Sequence, residues 1–164
     1  MKINRLELKI NVPVTYEENI DFKDASYDSY HVRNIKDCHV VAIATEYGEF
    51  LNVKINISCI VLTTSAYTLK DLDYEVKIKD ELCFTDNEDL SDAYFYEKLP
   101  QIEIDDYIFS LIVAHVPTKV VGKNEKLPES GNGYRIMSEE DFYKERENKK
   151  SSPFDVLDNL DLDN

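Results

Sequence analysis

At 164 residues and 43% hydrophobic content, the chain can bury one real core and is too short to expect two domains. Its formal charge of −14 argues against a protein that gains affinity by wrapping a phosphate backbone, and no apolar run approaches the roughly 18 residues of a membrane-spanning helix. The start, MKINRLELKI, is basic but alternates polar and apolar residues, unlike a signal peptide, so a cytoplasmic protein without membrane contact is expected.

Strand patterns fill the first half. In LELKINVPV, Leu6, Leu8, Ile10, Val12 and Val14 alternate with other residues, which predicts a half-buried strand that ends or reaches a sheet edge at Pro13. Residues 16–31 are polar, aromatic and aperiodic and read as a connecting loop. CHVVAIATEY and EFLNVKINISCIVLTT then predict a hairpin turning near Tyr47, Gly48 and Glu49. LDYEVKIKDELCF alternates through Leu72, Tyr74, Val76, Ile78, Leu82 and Phe84, so three or four antiparallel strands with one wet face are expected.

The pattern changes after the acidic linker TDNEDLSD. IDDYIFSLIVAHVP places Tyr107, Ile108, Leu111, Ile112 and His115 at helical spacing, with Asp105 as N-cap and Pro117 ending the helix, whose apolar stripe should close over the sheet. Farther on, Ser138 with Asp141 three residues later resembles an N-terminal capping box, and the helix DFYKERENKK is mostly charged and should be exposed. In the acidic tail SSPFDVLDNLDLDN, Phe154, Leu157 and Leu160 recur every third residue: scattered hydrophobics in a disordered terminus, or a segment that folds on docking. The expected fold is therefore α+β, with a twisted antiparallel sheet, open or curled toward a partly closed barrel, and one packed amphipathic helix. Residues 1–137 would form the domain, and residues 138–164 an arm of exposed helix and acidic tail.

Signatures of catalysis are missing. LPESGNGYRIMSEEDF holds Gly131 and Gly133, two of the four glycines, but neither the Walker pattern nor three glycines opening a helix, so it reads as a tight turn. Cys38, Cys59 and Cys83 are far apart, with no C-x-x-C, and read as small core hydrophobes; the three histidines form no zinc-like cluster, and His115 reads as a packed or exposed side chain. No G-x-S-x-G occurs, and the tail acids lack the glycine and terminal Glu of a calcium loop. Nothing specifies an enzyme, and no cofactor or metal is expected.

Charge is unevenly placed. Residues 71–107 carry 13 Asp or Glu against 3 Lys, whereas in residues 117–137 Lys119, Lys123, Lys126 and Arg135 outweigh Glu125 and Glu129. Two readings stand: a solvated, solubility-giving surface, or an acidic face (Asp71, Asp73, Glu75, Asp86, Glu88 and Asp89) for a basic partner, with a small basic strip elsewhere.

The C-terminal third goes further. The order of an amphipathic helix ending at VPTK, then LPESGNGYRIMSEEDFYKE, then SPFDVLDNLDL resembles the YceD family, the large ribosomal RNA subunit accumulation proteins. Upstream, VRNIKDCHVVAIA and NISCIVLTTSAYTLKDLDYEVKI are similar to that family's paired strands. Where many members carry C-x-R-C-L, this chain has Ser65-Ala66-Tyr67-Thr68-Leu69, so no metal or thiol role carries over; the tail lacks the D-P-R that often precedes its apolar residues. The resemblance implies a non-enzymatic factor for accumulation of 23S ribosomal RNA and biogenesis of the large subunit. The expected partner is a basic ribosomal protein or an immature large-subunit particle, met through the acidic face. The alternative is direct rRNA contact by Lys119, Lys123, Lys126 and Arg135 with Tyr134 stacking on a base. The family motif adds Leu127, Pro128, Ser130, Gly131 and Gly133, and Phe154 and Leu157 of the tail, as candidate partner contacts. Oligomeric state has no signature in the sequence.

Overall fold

The computed structural model describes residues 1–23, 25, 27, 31–98 and 100–148. The tail contacts expected at Phe154 and Leu157 lie outside the described residues. Two compact units meet the eye, Met1–Gly122 and Lys123–Asn164, so Lys119 belongs to the first and Lys123, Lys126 and Arg135 to the second.

The first unit is an α+β assembly. Strands β1 (Lys2–Asn4), β2 (Val14–Ile20), β3 (Asn34–Glu46), β4 (Phe50–Thr64), β5 (Asp71–Thr85), β6 (Phe95–Tyr96) and β7 (Gln101–Glu103) precede helix α1 (Asp105–His115). The larger sheet runs β2-β3-β4-β5-β6, antiparallel except for the two-residue parallel pairing of β6, and it stays open instead of closing into a barrel. The smaller sheet pairs β1 with β7, setting Ile3 against Ile102.

Alternation dictates the layers. Along β3 and β4 every second residue is buried (Val40, Ala42 and Ala44; Leu51, Val53, Ile55, Ile57 and Val61), while the others face outward. Ile108 and Ile112 of α1, with Ile3, Ile102 and Ile104, complete the core. Each fully buried isoleucine or valine contributes about 1.5–3 kcal/mol. Aromatic edges seal the rim: Tyr107 meets Phe84 with ring centroids 5.1 Å apart, and Phe109 lies 5.7 Å from Phe22. Gly48, at φ +92°, closes the β3–β4 hairpin, where the Tyr47 N–H donates to the Phe50 carbonyl at 2.8 Å.

Three local expectations are corrected. Of residues 6–14 only Val14, which opens β2, is in a strand: Arg5–Glu7 is a 3-10 turn, Asn11 takes φ +62°, and Ile10 makes an isolated bridge to Glu46, leaving Leu6, Ile10 and Val12 exposed. Residues 16–31 are not all loop, because β2 runs to Ile20; its alternation is broken at the exposed Glu18, which pairs with the Met1 amino group at 3.5 Å. Asp105 is not the N-cap. Helix α1 starts from Ile104, whose carbonyl accepts from the Ile108 N–H at 3.0 Å, and the Asp105 carboxylate instead receives the Met1 amino group. The helix stops one residue before Val116-Pro117, as Pro117 requires.

In the second unit, α2 (Glu139–Asn148) follows the glycine turn. Ser138 Oγ accepts from the Asp141 N–H at 3.0 Å and donates to its carboxylate at 2.7 Å, satisfying an orphan helix donor as the capping pattern predicts. Phe142 and Tyr143 are exposed.

Candidate functional site

The acids expected to form one face are split by the length of β5. Asp71 opens that strand and Asp86 follows its last residue; at about 3.3 Å per residue they stand on the order of 50 Å apart. The two ends also differ in charge. Register carries Asp71, Asp73 and Glu75 onto the outward face, across β4 from the start of β3. There Arg33 Nη1 meets Asp71 at 2.7 Å, Lys36 Nζ meets Asp73 at 3.3 Å, and Lys77 Nζ meets Glu75 at 2.7 Å. These are exposed pairs, each worth roughly 0–1 kcal/mol, but they neutralise that end. At the other end, Glu88 and Asp89 sit in an exposed 3-10 turn capped by Asn87, whose Oδ1 accepts from the Asp89 N–H at 3.1 Å. Neither makes an ion pair among the described residues.

Asp86 borders a feature the sequence hides. The Arg5 guanidinium donates to Glu46 through Nε (2.9 Å) and Nη2 (3.0 Å) and to the Gly48 carbonyl (3.1 Å), while Nη1 lies 3.7 Å from Asp86. Both side chains of the Arg5–Glu46 pair are only 9% exposed. The Gly48 N–H donates back to Glu46 at 2.9 Å, so one carboxylate ties residues 5–7 to the hairpin tip. Its hydrogen bonding outweighs burial and raises the Arg5 pKa above the ordinary guanidinium value. The only sequence signal was a lone Glu46 that continues the otherwise apolar inward face of Cys38, Val40, Ala42 and Ala44.

The basic candidates are less available than their spacing suggests. Lys119, Lys123 and Lys126 are exposed, but Arg135 Nη1 is engaged by Glu145 of α2. The glycine motif closes on itself: Ser130 Oγ accepts from the Ile136 N–H at 2.9 Å and donates to the Ile136 carbonyl at 3.5 Å. Inside that clasp Gly133 takes φ +88°, and a methyl at Gly131 would overlap the Tyr134 ring. The turn reading stands, with Tyr134 62% exposed, Pro128 exposed and Leu127 half-buried.

The cysteines are core residues in part. Cys38 and Cys59 are buried, free and opposed across β3 and β4, and their interaction raises the Cys38 thiol and lowers that of Cys59; Cys83 is half-buried, and burial raises it. Asp37 and Cys38 both oppose Cys59 in a β-bulge, where Asp37 adopts φ +50°. His115 is exposed, its Nδ1 2.8 Å from the Leu111 carbonyl. Among the described residues no three His, Cys, Asp or Glu converge as a metal site, and no helix is long and apolar enough to cross a membrane.

Comparison with known proteins finds no match: no family model, no curated protein and no solved structure is similar to this chain.

Proposed function

We propose that the protein is a non-enzymatic, cytoplasmic factor of the YceD type that supports 23S rRNA accumulation and large-subunit assembly by binding a basic ribosomal protein or an immature particle. The motif order across residues 105–160 motivates the biological assignment. The observation that supports the mode of binding is the unneutralised acid at Glu88 and Asp89, within a chain of net charge −14. Such a surface suits a Lys/Arg-rich protein by fast, salt-sensitive encounter. Deleting the gene and measuring mature 23S rRNA tests the biological half; unchanged levels reject it. Pull-down of ribosomal proteins at low and high salt tests the other half, and salt-insensitive capture, or none, rejects it.

One observation favours a second reading, direct rRNA contact. Tyr134 stands exposed on a pinned glycine turn, with Lys123 and Lys126 exposed in the same unit. Exposed aromatics beside cations stack single-stranded bases. Filter binding to rRNA fragments decides: Lys123→Glu and Arg135→Glu abolish retention if this reading holds and leave it unchanged if protein contacts carry the binding.

A further inference from the structure

The first unit gathers its exposed hydrophobic side chains at one end of the larger sheet. Leu6, Ile10, Val12, Tyr47, Tyr94 and Phe95 are between 39% and 81% exposed, and among the described residues of that unit only Leu69 lies elsewhere. The β3–β4 hairpin tip holds the group together. On one side, Ile10 bridges to Glu46, and Leu6 and Ile10 line a hollow of about 390 Å³ with Asp86 and Lys98. On the other, the Phe50 ring packs on Tyr94 at a centroid distance of 4.8 Å, and Phe95 packs on Phe84 at 5.6 Å. Solvent-exposed apolar side chains clustered in this way, and rimmed by charge, mark an interaction site.

Charge selects the occupant. Segments 5–12, 46–50 and 84–98 carry eight acids against three cations. Glu46 and Arg5 neutralise each other in the buried pair, which leaves seven acids against two cations. The chain's own tail, residues 151–164, carries four aspartates and no cation, and a second copy brings a net charge of −14, so both are repelled. A segment with cationic and apolar side chains is complementary to both features.

We propose that the hairpin end, with Leu6 and Ile10 as apolar floor and Asp86, Glu88 and Asp89 as acidic rim, is the docking surface for a basic amphipathic segment of a protein partner. It rests on the reading above only in taking that partner to be a basic protein. Apolar anchors hold the segment, while the rim steers it and fixes its direction.

Fluorescence anisotropy with three labelled synthetic peptides tests this: one of Arg and Leu, one of Arg and Ser, and one of Glu and Leu, with the full chain titrated in. Only the Arg/Leu peptide binds tightly. Leu6→Ser with Ile10→Ser weakens it by about tenfold or more, as loss of two anchors should, and Glu88→Lys with Asp89→Lys does the same. Leu69→Ser, at the exposed leucine between β4 and β5 at the opposite end of the sheet, changes nothing. All four side chains replaced at the hairpin end are exposed, and unchanged circular dichroism and melting confirm that the variants fold. Equal binding of the Arg/Ser peptide shows charge alone and overturns the proposal; equal binding of the Glu/Leu peptide shows stickiness alone and does the same. So does concentration-dependent self-association that Leu6→Ser abolishes. Peptide binding that survives while gene deletion leaves 23S rRNA unchanged removes the ribosomal reading and keeps the surface; the reverse pattern removes the surface and keeps the reading.

Discussion

Replacing Glu46 with Ala should be among the costliest single changes outside the apolar core. Its carboxylate receives two guanidinium hydrogen bonds and one from the Gly48 N–H, at 2.9–3.0 Å, in a site where both partners are 9% exposed. Removing one member leaves the other buried without its counter-charge. Asp86 at 3.7 Å and the Gly48 carbonyl compensate Arg5 only in part. A loss of about 3 kcal/mol follows, at the low end for a broken buried pair. For a chain of this size that lowers the melting temperature by about 6–12 °C. Arg5→Ala should cost a similar amount, and the double variant far less than the sum, since emptying the site removes both unpaired charges. Urea denaturation of the four proteins gives the cycle. Single losses below about 1 kcal/mol, the range of an exposed pair, or additivity within about 0.5 kcal/mol would refute this account. Raised salt should change the coupling little, because water is largely excluded from the pair.

Other expectations are more local. Tyr107 donates to Glu97 at 2.8 Å, and burial first, then that hydrogen bond and the Glu97 charge, push its pKa up to about 12. Its folded value lies above the ordinary one near 10, so the stabilisation is full below about pH 10 and fades as pH rises toward 12; phenolate absorbance titrating near 10 refutes this. Asp37→Gly should be neutral or stabilising, whereas Asp37→Val, forced into φ +50°, should cost about 1–2 kcal/mol by chemical denaturation; equal stability of the two argues against strain at the bulge. The Thr63 hydroxyl is buried and has no hydrogen-bond partner among the described residues, so Thr63→Val should gain about 1 kcal/mol, and a loss would reveal a bond to the hydroxyl.

Period-two alternation made β3, β4 and β5 legible in the sequence, Gly48 marked the hairpin, and Ser138 marked the start of α2. The same alternation misled at residues 6–13, because a pattern shows which side chains could share a face and not whether anything covers it. Asn11 in the left-handed region and Pro13 were the breaking signals there. β2 was hidden by Glu18, a solvent-exposed charge at a position where the alternation called for an apolar residue. For the acids, a count along the chain could not reveal that Arg33 and Lys36 cross β4 to neutralise Asp71 and Asp73. Nor could it join Leu6 to Asp86, which only the fold brings to one hollow.

The small β1–β7 sheet sets an order on folding. β1 waits for Gln101–Glu103, at the far end of this unit, whereas β3, β4 and β5 are joined by short turns and zip along neighbouring sequence. Closing the longer loop costs more chain entropy before any contact repays it. The central strands therefore come together first, and β1 with Arg5 arrives last to seal Ile3 and Ile102 into the core. Amide exchange should begin at that seam while the β3–β4 ladder still holds its protons.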